Sequence, residues 1–408
     1  MESIIATLFG ERPRSLNRRR FLAGSAAGLF TAYWTVADGG DHAEGGLKLR
    51  KNLAVKSLAI AAIELLQDRN RYWCRVSGPE TAFGVAEVPN RVMKSRSLLN
   101  DAVAPYFLGR DGWSLETLVD GVYVANSNYK LGGVPFWICV AAVELATLDM
   151  LGRQVGKPVG ELFADRRRNE VPIYISRFNR DNAAAGEVAS VADVLKRTGA
   201  TACKLKVGRR MSNTKAQARR DLKMVELARS EFGDDVAIYL DANGSYTTEG
   251  AIRLGREFAK SGVGFLEEPC PWEDFESTRQ VAEALELPIA GGEQDSSLPK
   301  LRWMMRHGAL DLVQPDLFYH GGMIRCLRLA KIAGKFGLKV TPHSPKVGGQ
   351  ANPMLQFASI VPNIGPHQEY RETGRINDGK VTISDTPGLG IKSSDLKNAK
   401  SVLRVVGQ

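Results

Sequence analysis

The pattern of apolar and polar positions changes near residue 170. From there on, short apolar runs rich in branched residues alternate with amphipathic segments of helical spacing. The eight runs are Val171–Ser176, Ala202–Val207, Val236–Asp241, Gly264–Glu267, Pro288–Gly291, Leu310–Val313, Leu338–Thr341 and Ile364–Glu369. Strands that alternate with helices in this way predict an α/β fold with a parallel (β/α) barrel of the TIM type.

The region before the barrel has a mixed pattern. Strand-like patterns cover Val55–Leu66 and Arg71–Val88, and the second stretch is predicted to turn at Ser77–Glu80. Apolar residues at helical spacing predict a helix over Phe136–Leu151. The predicted units are an α+β domain (47–163), the barrel (164–370) and a turn-rich C-terminal segment that packs back on the first domain (371–408).

The first 37 residues are predicted to be a targeting segment. Asn17–Ala23 resembles a twin-arginine export motif, with paired arginines followed by Phe-Leu, and a modest apolar stretch runs from Phe21 to Val36. Small residues up to Ala37 suit a signal peptidase, so the mature chain would start near Asp38. We therefore expect an exported, periplasmic protein; the alternative is a flexible basic tail with an accidental match.

Composition narrows the function classes. The chain has 408 residues, 44% of them hydrophobic, and a formal net charge of +10. The first 37 residues hold five arginines against two glutamates, so the rest carries about +7. Its basic residues form no runs interleaved with aromatics, which argues against nucleic-acid binding. No internal stretch after residue 50 is expected to be apolar enough to span a bilayer, and five scattered cysteines indicate neither a zinc site nor a disulfide framework.

Acidic residues end three consecutive predicted strands. Asp241, Glu267 and Glu293 are spaced 26 residues apart, about the length of one βα unit. The spacing returns each carboxylate to the C-terminal rim, where barrel enzymes have their active sites. Converging carboxylate oxygens suit Mg²⁺, which can bind a substrate carboxylate and stabilise the enediolate formed when the α-proton leaves.

Candidate proton-transfer groups lie at the same rim. Lys204 and Lys206 are two apart on a predicted strand, so both face the barrel interior. Like charge and partial burial are expected to lower a lysine pKa, which would let one act as a base. Asp316 and His343 end neighbouring strands, where the carboxylate could hold the imidazole tautomer. Each feature alone is compatible with a structural role, but their joint occurrence predicts a catalytic site.

These strand-end motifs resemble those of the mandelate racemase and muconate lactonizing enzyme group of the enolase superfamily. The matching segments are Cys203–Val207, Leu240–Gly244, Leu266–Pro269, Gly292–Glu293, Gln314–Asp316 with Gly321–Gly322, Pro342–His343 and Gln368–Glu369. The resemblance extends over 47–389 and implies Mg²⁺, a small-molecule carboxylate substrate and a homo-oligomer. It also implies an N-terminal capping domain over the barrel mouth, with specificity loops near Gln67–Arg71 and Pro89–Arg96.

The resemblance assigns roles to the base residues. Lys206 would act on one face of the α-carbon, with Lys204 polarising the carboxylate. His343, oriented by Asp316, would act on the opposite face.

Further roles follow from the same resemblance. Glu369 would hydrogen-bond the enediolate or the carboxylate, and Asn243 would touch the substrate. Glu268 would pair with one of the lysines, either in function or as a plain barrel ion pair. Asp241, Glu267 and Glu293 would hold the metal.

Two reactions are compatible with this set. Dehydration of a sugar acid to a 2-keto-3-deoxy acid is the commoner family use, and racemisation or epimerisation of a 2-hydroxy acid is the alternative. Cycloisomerases of the family usually lack the His–Asp dyad, and a non-catalytic carboxylate binder would have no use for two bases. Arg69, Arg71 and Arg91 lie in or beside the predicted loops, either to hold a second substrate carboxylate or as ordinary surface residues.

Overall fold

The computed structural model describes residues 47–54, 56–371 and 374–407. The predicted targeting segment at 1–37 lies outside the described residues, so export stays a prediction. The described parts form an antiparallel sheet with helices and a parallel barrel, which is the predicted fold class.

A four-stranded antiparallel sheet forms the first unit, in the order β14-β1-β2-β3. Its strands are β1 (Ala62–Asp68), β2 (Arg71–Ser77), β3 (Phe83–Val88) and β14 (Lys400–Val406). The β1–β2 turn passes through Arg69, whose φ is 52°. Because β14 pairs with β1, the C-terminal segment returns to this sheet.

The predicted strand over Val55–Leu66 is wrong in its first half. β1 starts only at Ala62. The carbonyl of Leu58 instead accepts the N–H of Gly112 at 2.9 Å, and Ile60 bonds the same loop. Leu58 and Ile60 are fully buried. Here alternating apolar residues pack an extended segment against a loop, and periodicity alone does not separate that arrangement from a strand.

Helices cover the sheet. They are α1 (Asn90–Lys94), α2 (Arg96–Leu98), α3 (Ala104–Phe107), α4 (Leu115–Val124) and α5 (Val134–Val155). Helix α5 packs on β2 and β3, and every residue from Phe136 to Gly152 is buried. It is long and apolar enough to cross a membrane, so the expectation that no stretch after residue 50 meets this criterion is wrong. Its burial identifies α5 as the core helix of the unit.

Eight parallel strands form the barrel. They are β4 (Glu170–Ser176), β5 (Ala202–Lys206), β6 (Ala237–Asp241), β7 (Phe265–Glu267), β8 (Ile289–Gly291), β9 (Leu312–Val313), β10 (Lys339–Val340) and β11 (Gln368–Tyr370). Each strand from β4 to β9 pairs with the next, β11 pairs with β4, and a bridge between Val340 of β10 and Ile364 closes the ring. The predicted barrel is therefore confirmed.

A helix follows each of the first seven barrel strands. The helices are α6 (Ala184–Thr198), α7 (Lys215–Phe232), α8 (Thr248–Lys260), α9 (Phe275–Ala284), α10 (Leu298–Arg306), α11 (Met323–Lys335) and α12 (Asn352–Ile360). Side-chain oxygens of Thr214, Thr247, Asp274 and Ser297 accept the N–H three residues on, which fixes where four of these helices begin. A hairpin of β12 (Ile376–Asn377) and β13 (Lys380–Thr382) adds to β4.

An apolar layer fills the barrel beneath its C-terminal rim. The rings of Tyr239 and Phe265 stack with centroids 4.1 Å apart. The layer consists of Tyr174, Ala202, Tyr239, Phe265, Ala290 and Leu312. Because side chains alternate along a strand, Lys204 and Asp241 point into the same interior two residues nearer the rim than Ala202 and Tyr239. This layer is the floor of the candidate site.

A buried acid of the first unit fixes one rim loop. Glu144 on α5 accepts the N–H groups of Met323 and Ile324 at 2.9 and 2.8 Å, at the start of α11. Burial raises the pKa of Glu144 to about 7. Gly322 precedes the helix with a φ of 109°, and a Cβ there would overlap the Glu144 carboxylate. This contact anchors the loop between β9 and α11, which carries Asp316.

Candidate active site

Three carboxylates meet at the ends of β6, β7 and β8. Asp241 and Glu267 are register partners on adjacent strands, and Glu293 follows β8 by two residues. One oxygen of each lies within 4.8 Å of the others, and all three side chains are buried. The structure thus brings together the three residues predicted to hold a metal.

A divalent cation fits this acidic cluster. Oε1 of Glu267 is buried and has no hydrogen-bond partner among the described residues. Burial and repulsion from Asp241 raise the pKa of Glu267 to about 8. A divalent cation would remove the repulsion between these carboxylates, and their hard oxygen atoms are the ligand type that Mg²⁺ prefers.

Both lysines enter the barrel from β5, as the alternation predicts. Nζ of Lys204 lies 2.6 Å from Oε2 of Glu267 and 2.7 Å from Oε1 of Glu369. Lys206 forms an ion pair with Asp241. Each lysine is therefore held by an acid of the metal cluster.

The expected lowering of a lysine pKa is wrong for Lys204. Burial lowers its pKa, but attraction to Glu267 and Glu369 outweighs burial and holds the pKa well above its ordinary value. Two neighbouring lysines would repel each other, yet each faces a carboxylate from another strand. Attraction across the barrel is therefore larger than repulsion along the strand.

His343 and Asp316 form the predicted dyad. Nδ1 of His343 lies 2.8 Å from Oδ2 of Asp316, and Nε2 lies 2.9 Å from Oε2 of Glu293. Because Nδ1 of His343 contacts Asp316, Nε2 is the ring nitrogen that faces the acidic cluster. Burial lowers the pKa of His343, but Glu293, Glu369 and Asp316 together raise it well above its ordinary value.

Glu369 connects the lysine and histidine sides of the site. Its Oε1 accepts the hydroxyl of Ser176 at 2.7 Å and faces Lys204. Its Oε2 accepts the N–H of Ser344 at 2.8 Å and lies 4.0 Å from Nε2 of His343. Burial raises the pKa of Glu369, but Lys204 and His343 outweigh burial and lower it to about 2. Glu369 is therefore an ionised carboxylate between two cations.

Comparison with known proteins identifies this arrangement. A protein-family model described as "Enolase C-terminal domain-like" matches residues 187–396, more than half of the chain. The chain belongs to the enolase superfamily. It is 29% identical over 312 residues to D-galactarolactone cycloisomerase from Agrobacterium fabrum, covering 71% of this chain and 80% of that protein. It is 28% identical over 304 residues to arabinonate dehydratase from Saccharolobus solfataricus, covering 71% and 79%.

A solved structure agrees with this assignment at the level of fold. A mandelate racemase/muconate lactonizing protein from Paracoccus denitrificans, complexed with magnesium, superimposes with a TM-score of 0.78 at 24% identity. The match covers 85% of this chain and 99% of that one. The protein is thus an enolase-superfamily enzyme with dehydratases and cycloisomerases among its relatives.

Asn243 lies on the lysine side, with a partner that sequence reasoning missed. Its Oδ1 accepts hydrogen bonds from Nη2 of Arg180 at 2.7 Å and from Nζ of Lys206 at 3.3 Å. Nε of Arg180 is buried and has no hydrogen-bond partner in the described part of the chain. Because two donors engage Oδ1, the amide nitrogen of Asn243 is left for other partners. Arg180 lies in the loop after β4, where no periodic pattern could mark it.

Sequence reasoning also missed a lysine on the histidine side of this enolase-superfamily site. Nζ of Lys346 lies 2.5 Å from Oδ2 of Asp316, the same oxygen that His343 contacts. Lys346 is largely buried. A single lysine three residues after a histidine in a loop has no sequence signal. Asp316 therefore contacts both His343 and Lys346, whereas the sequence predicts only the contact with His343.

The predicted pairing of Glu268 with a lysine is wrong. Oε1 of Glu268 is buried without a hydrogen-bond partner among the described residues. The lysines are held by Glu267 and Asp241 instead. Burial and repulsion from Glu293 raise the pKa of Glu268 well above its ordinary value.

Proposed function

We propose that this enzyme uses Mg²⁺ to abstract the proton next to the carboxylate of a sugar acid, and then removes water to give a 2-keto-3-deoxy acid. The observation that carries the proposal is the placement of two proton-transfer groups on one acidic cluster. Lys206 contacts Asp241 and His343 contacts Glu293. A substrate bound at the cluster would therefore have a base on one side and an acid on the other.

The residues suggest the following division of labour. Lys206, as the free amine, would take the α-proton, and the electrons of the broken C–H bond would move into the carboxylate to form an enediolate. Mg²⁺ bound by Asp241, Glu267 and Glu293 would supply positive charge for that enediolate. Lys204 would add a fixed positive charge at a carboxylate oxygen.

The second step uses the histidine side. Protonated His343 would give its Nε2 proton to the departing β-hydroxyl group, the C–O bond would break, and water would leave. Tautomerisation of the resulting enol yields the 2-keto acid. Asp316, at 2.8 Å from Nδ1, would stabilise the imidazolium before this transfer.

The similarity to arabinonate dehydratase supports this reaction class. The dyad also supports an epimerase, in which His343 would return a proton to the opposite face of the α-carbon. Similarity to a cycloisomerase makes an isomeric product a third outcome to be measured. These reactions share the first proton transfer and differ in their products.

The test is incubation with Mg²⁺ and a panel of sugar acids in D₂O, followed by NMR. We expect 2-keto-3-deoxy acid to form from at least one sugar acid. Deuterium at the α-carbon with inverted configuration and no keto acid would favour the epimerase. If no sugar acid of the panel gave keto acid or took up deuterium, that result would contradict the proposed function.

Metal binding has its own readout. Titration calorimetry with Mg²⁺ should detect a site in the wild-type protein, and Glu267→Gln should weaken it because one charged ligand is lost. Glu276→Gln is a matched control, since Glu276 is exposed on the outer helix α9. Equal Mg²⁺ affinity in wild type and Glu267→Gln would contradict the assignment of this site.

We further propose that the enzyme is exported through the twin-arginine motif in Arg18–Leu22. Replacement of Arg18 and Arg19 by lysine in the full-length chain should leave the protein in the cytoplasm, whereas the wild type should reach the periplasm. Cell fractionation measures this directly. Equal distribution of both chains would contradict the proposal.

A further inference from the structure

One cation of the first unit reaches across to the barrel rim. Arg91 on α1 donates from Nε to the hydroxyl of Tyr319 at 3.1 Å. Its guanidinium carbon lies 5.7 Å from the centroid of the Tyr319 ring. Tyr319 belongs to the loop after β9, three residues past Asp316. This contact therefore joins the first unit to the loop that carries the dyad.

Tyr319 lies between Arg91 and the active-site residues His343 and Lys346. Its ring centroid is 6.2 Å from that of His343 and 5.9 Å from Nζ of Lys346. A single aromatic ring thus separates Arg91 from the histidine. Tyr319 and Arg91 would meet a sugar acid whose carboxylate binds the acidic cluster and whose far end extends past His343.

Arg91 differs from the other two arginines of the predicted loops. Nε and Nη2 of Arg71 bond the two carboxylate oxygens of Glu87 at 3.1 and 2.9 Å. Arg69 is exposed in the β1–β2 turn, and its side chain has no hydrogen bond or ion pair with the barrel among the described residues. Arg91 is exposed, and within the described ranges its terminal nitrogens have neither a hydrogen bond nor an ion pair. Tyr319 therefore orients the guanidinium of Arg91, which forms no ion pair with a carboxylate among the described residues.

We propose that Arg91 binds the second carboxylate of a dicarboxylic sugar acid, an assignment that rests on the proposed function and specifies its substrate class. A guanidinium presents its terminal N–H groups as a fork that matches a carboxylate. The Tyr319 ring holds the fork in place, and the Tyr319 hydroxyl, which accepts from Arg91, keeps its own proton to donate to the substrate.

The test compares acid pairs that differ only at the far carbon: galactarate with galactonate, and glucarate with gluconate. Dissociation constants are measured by calorimetry on Mg²⁺-loaded Lys206→Met, which binds without turnover, and KM values are measured on the wild type. In at least one pair we expect the diacid to bind about tenfold more tightly, the value of one charge-assisted hydrogen bond.

Arg91→Gln should abolish that preference while the affinity for the monoacid changes little. Arg256→Gln, the same substitution at an exposed position on the outer helix α8, should keep the preference, and Tyr319→Phe should reduce it in part. Equal binding within every pair, or a preference that survives Arg91→Gln, would overturn the assignment. Failure of the proposed function is a separate result, because it appears as absent turnover and deuterium uptake while these affinities are measured at equilibrium.

Discussion

The lysine side and the histidine side of the site would each transfer a proton in the proposed mechanism, but they are built differently. Lys204 and Lys206 belong to β5 itself, and their partners Asp241 and Glu267 end the next two strands in register. Strand pairing alone sets these positions. Among the described residues, the hydrogen bonds and ion pairs of both lysines come from the barrel and none comes from the first unit.

The histidine side is built from loops and from the first unit. His343 and Lys346 follow β10, and both bond Asp316 in the loop after β9. That loop is fixed by Glu144 of α5 and contacted by Arg91 of α1. In the proposed mechanism, α-proton abstraction would therefore depend on the barrel alone, whereas the fate of the enediolate would depend on loops and on the first unit.

The largest effect should come from the lysine side. Lys206→Met removes the proposed base for every reaction, so deuterium uptake and keto-acid formation should both fall by roughly 10²–10⁴-fold. NMR in D₂O measures the two together. Unchanged thermal unfolding would show that the fold persists. Deuterium uptake at the wild-type rate would mean that a residue other than Lys206 takes the α-proton.

The next effect should separate the two sides. His343→Asn removes the proposed acid but leaves the barrel lysines in place, so keto-acid formation should fall by roughly 10²–10⁴-fold while deuterium uptake continues. The ratio of the two signals is the measurement. An equal loss of both would mean that the sides do not act independently.

A smaller effect should come from Lys346. Lys346→Met leaves Asp316 bonded to His343 without its second cation, and we expect keto-acid formation to fall by about tenfold, the value of one charge-assisted hydrogen bond. Deuterium uptake should stay near the wild-type rate. Arg180→Gln is the counterpart on the lysine side, where it should lower both signals together. If Lys346→Met lowered deuterium uptake as well as keto-acid formation, Lys346 would not act on the histidine side alone.

The contrast also explains what the sequence could predict. The barrel strands and their terminal acids are visible because a parallel barrel repeats at a nearly constant interval, so Asp241, Glu267 and Glu293 follow a period. Lys204 and Lys206 follow the alternation of a strand. All five positions were predictable from local patterns.

Loop contacts have no such period. Lys346 and Arg180 lie beside the site because of how single loops fold, and no spacing marks them. The interpretation of Glu268 failed for a related reason: sequence position places it at the rim but does not say which acids take the lysines. The pKa direction of Lys204 likewise depends on charges from other strands, which a sequence neighbour does not reveal.

The last effect concerns stability instead of activity and again distinguishes the sides. His320, in the same loop as Asp316, is fully buried, and burial together with Arg325 lowers its pKa to about 3. A lowered histidine pKa means that the unfolded chain takes up a proton first as the pH falls. The stability contributed by neutral His320 is therefore complete above 6.5, the ordinary value, and is lost as the pH falls toward 3. Between pH 7 and about pH 5 this linkage costs about 2 kcal/mol.

His320→Asn should remove the part of the acid-induced loss of stability that comes from His320. The variant is also expected to be less stable at neutral pH, because the contact between Nδ1 of His320 and the carbonyl of Asp295 at 3.0 Å is altered. Urea unfolding at pH 7 and pH 5 gives the free energy of unfolding of both proteins. The difference between the two pH values should be smaller in the variant by about 2 kcal/mol. An identical difference in both proteins would mean that His320 takes up its proton in the folded state. In that case the loop on the histidine side would be open to water, and its dependence on the anchoring contact from Glu144 would be weaker than its geometry indicates.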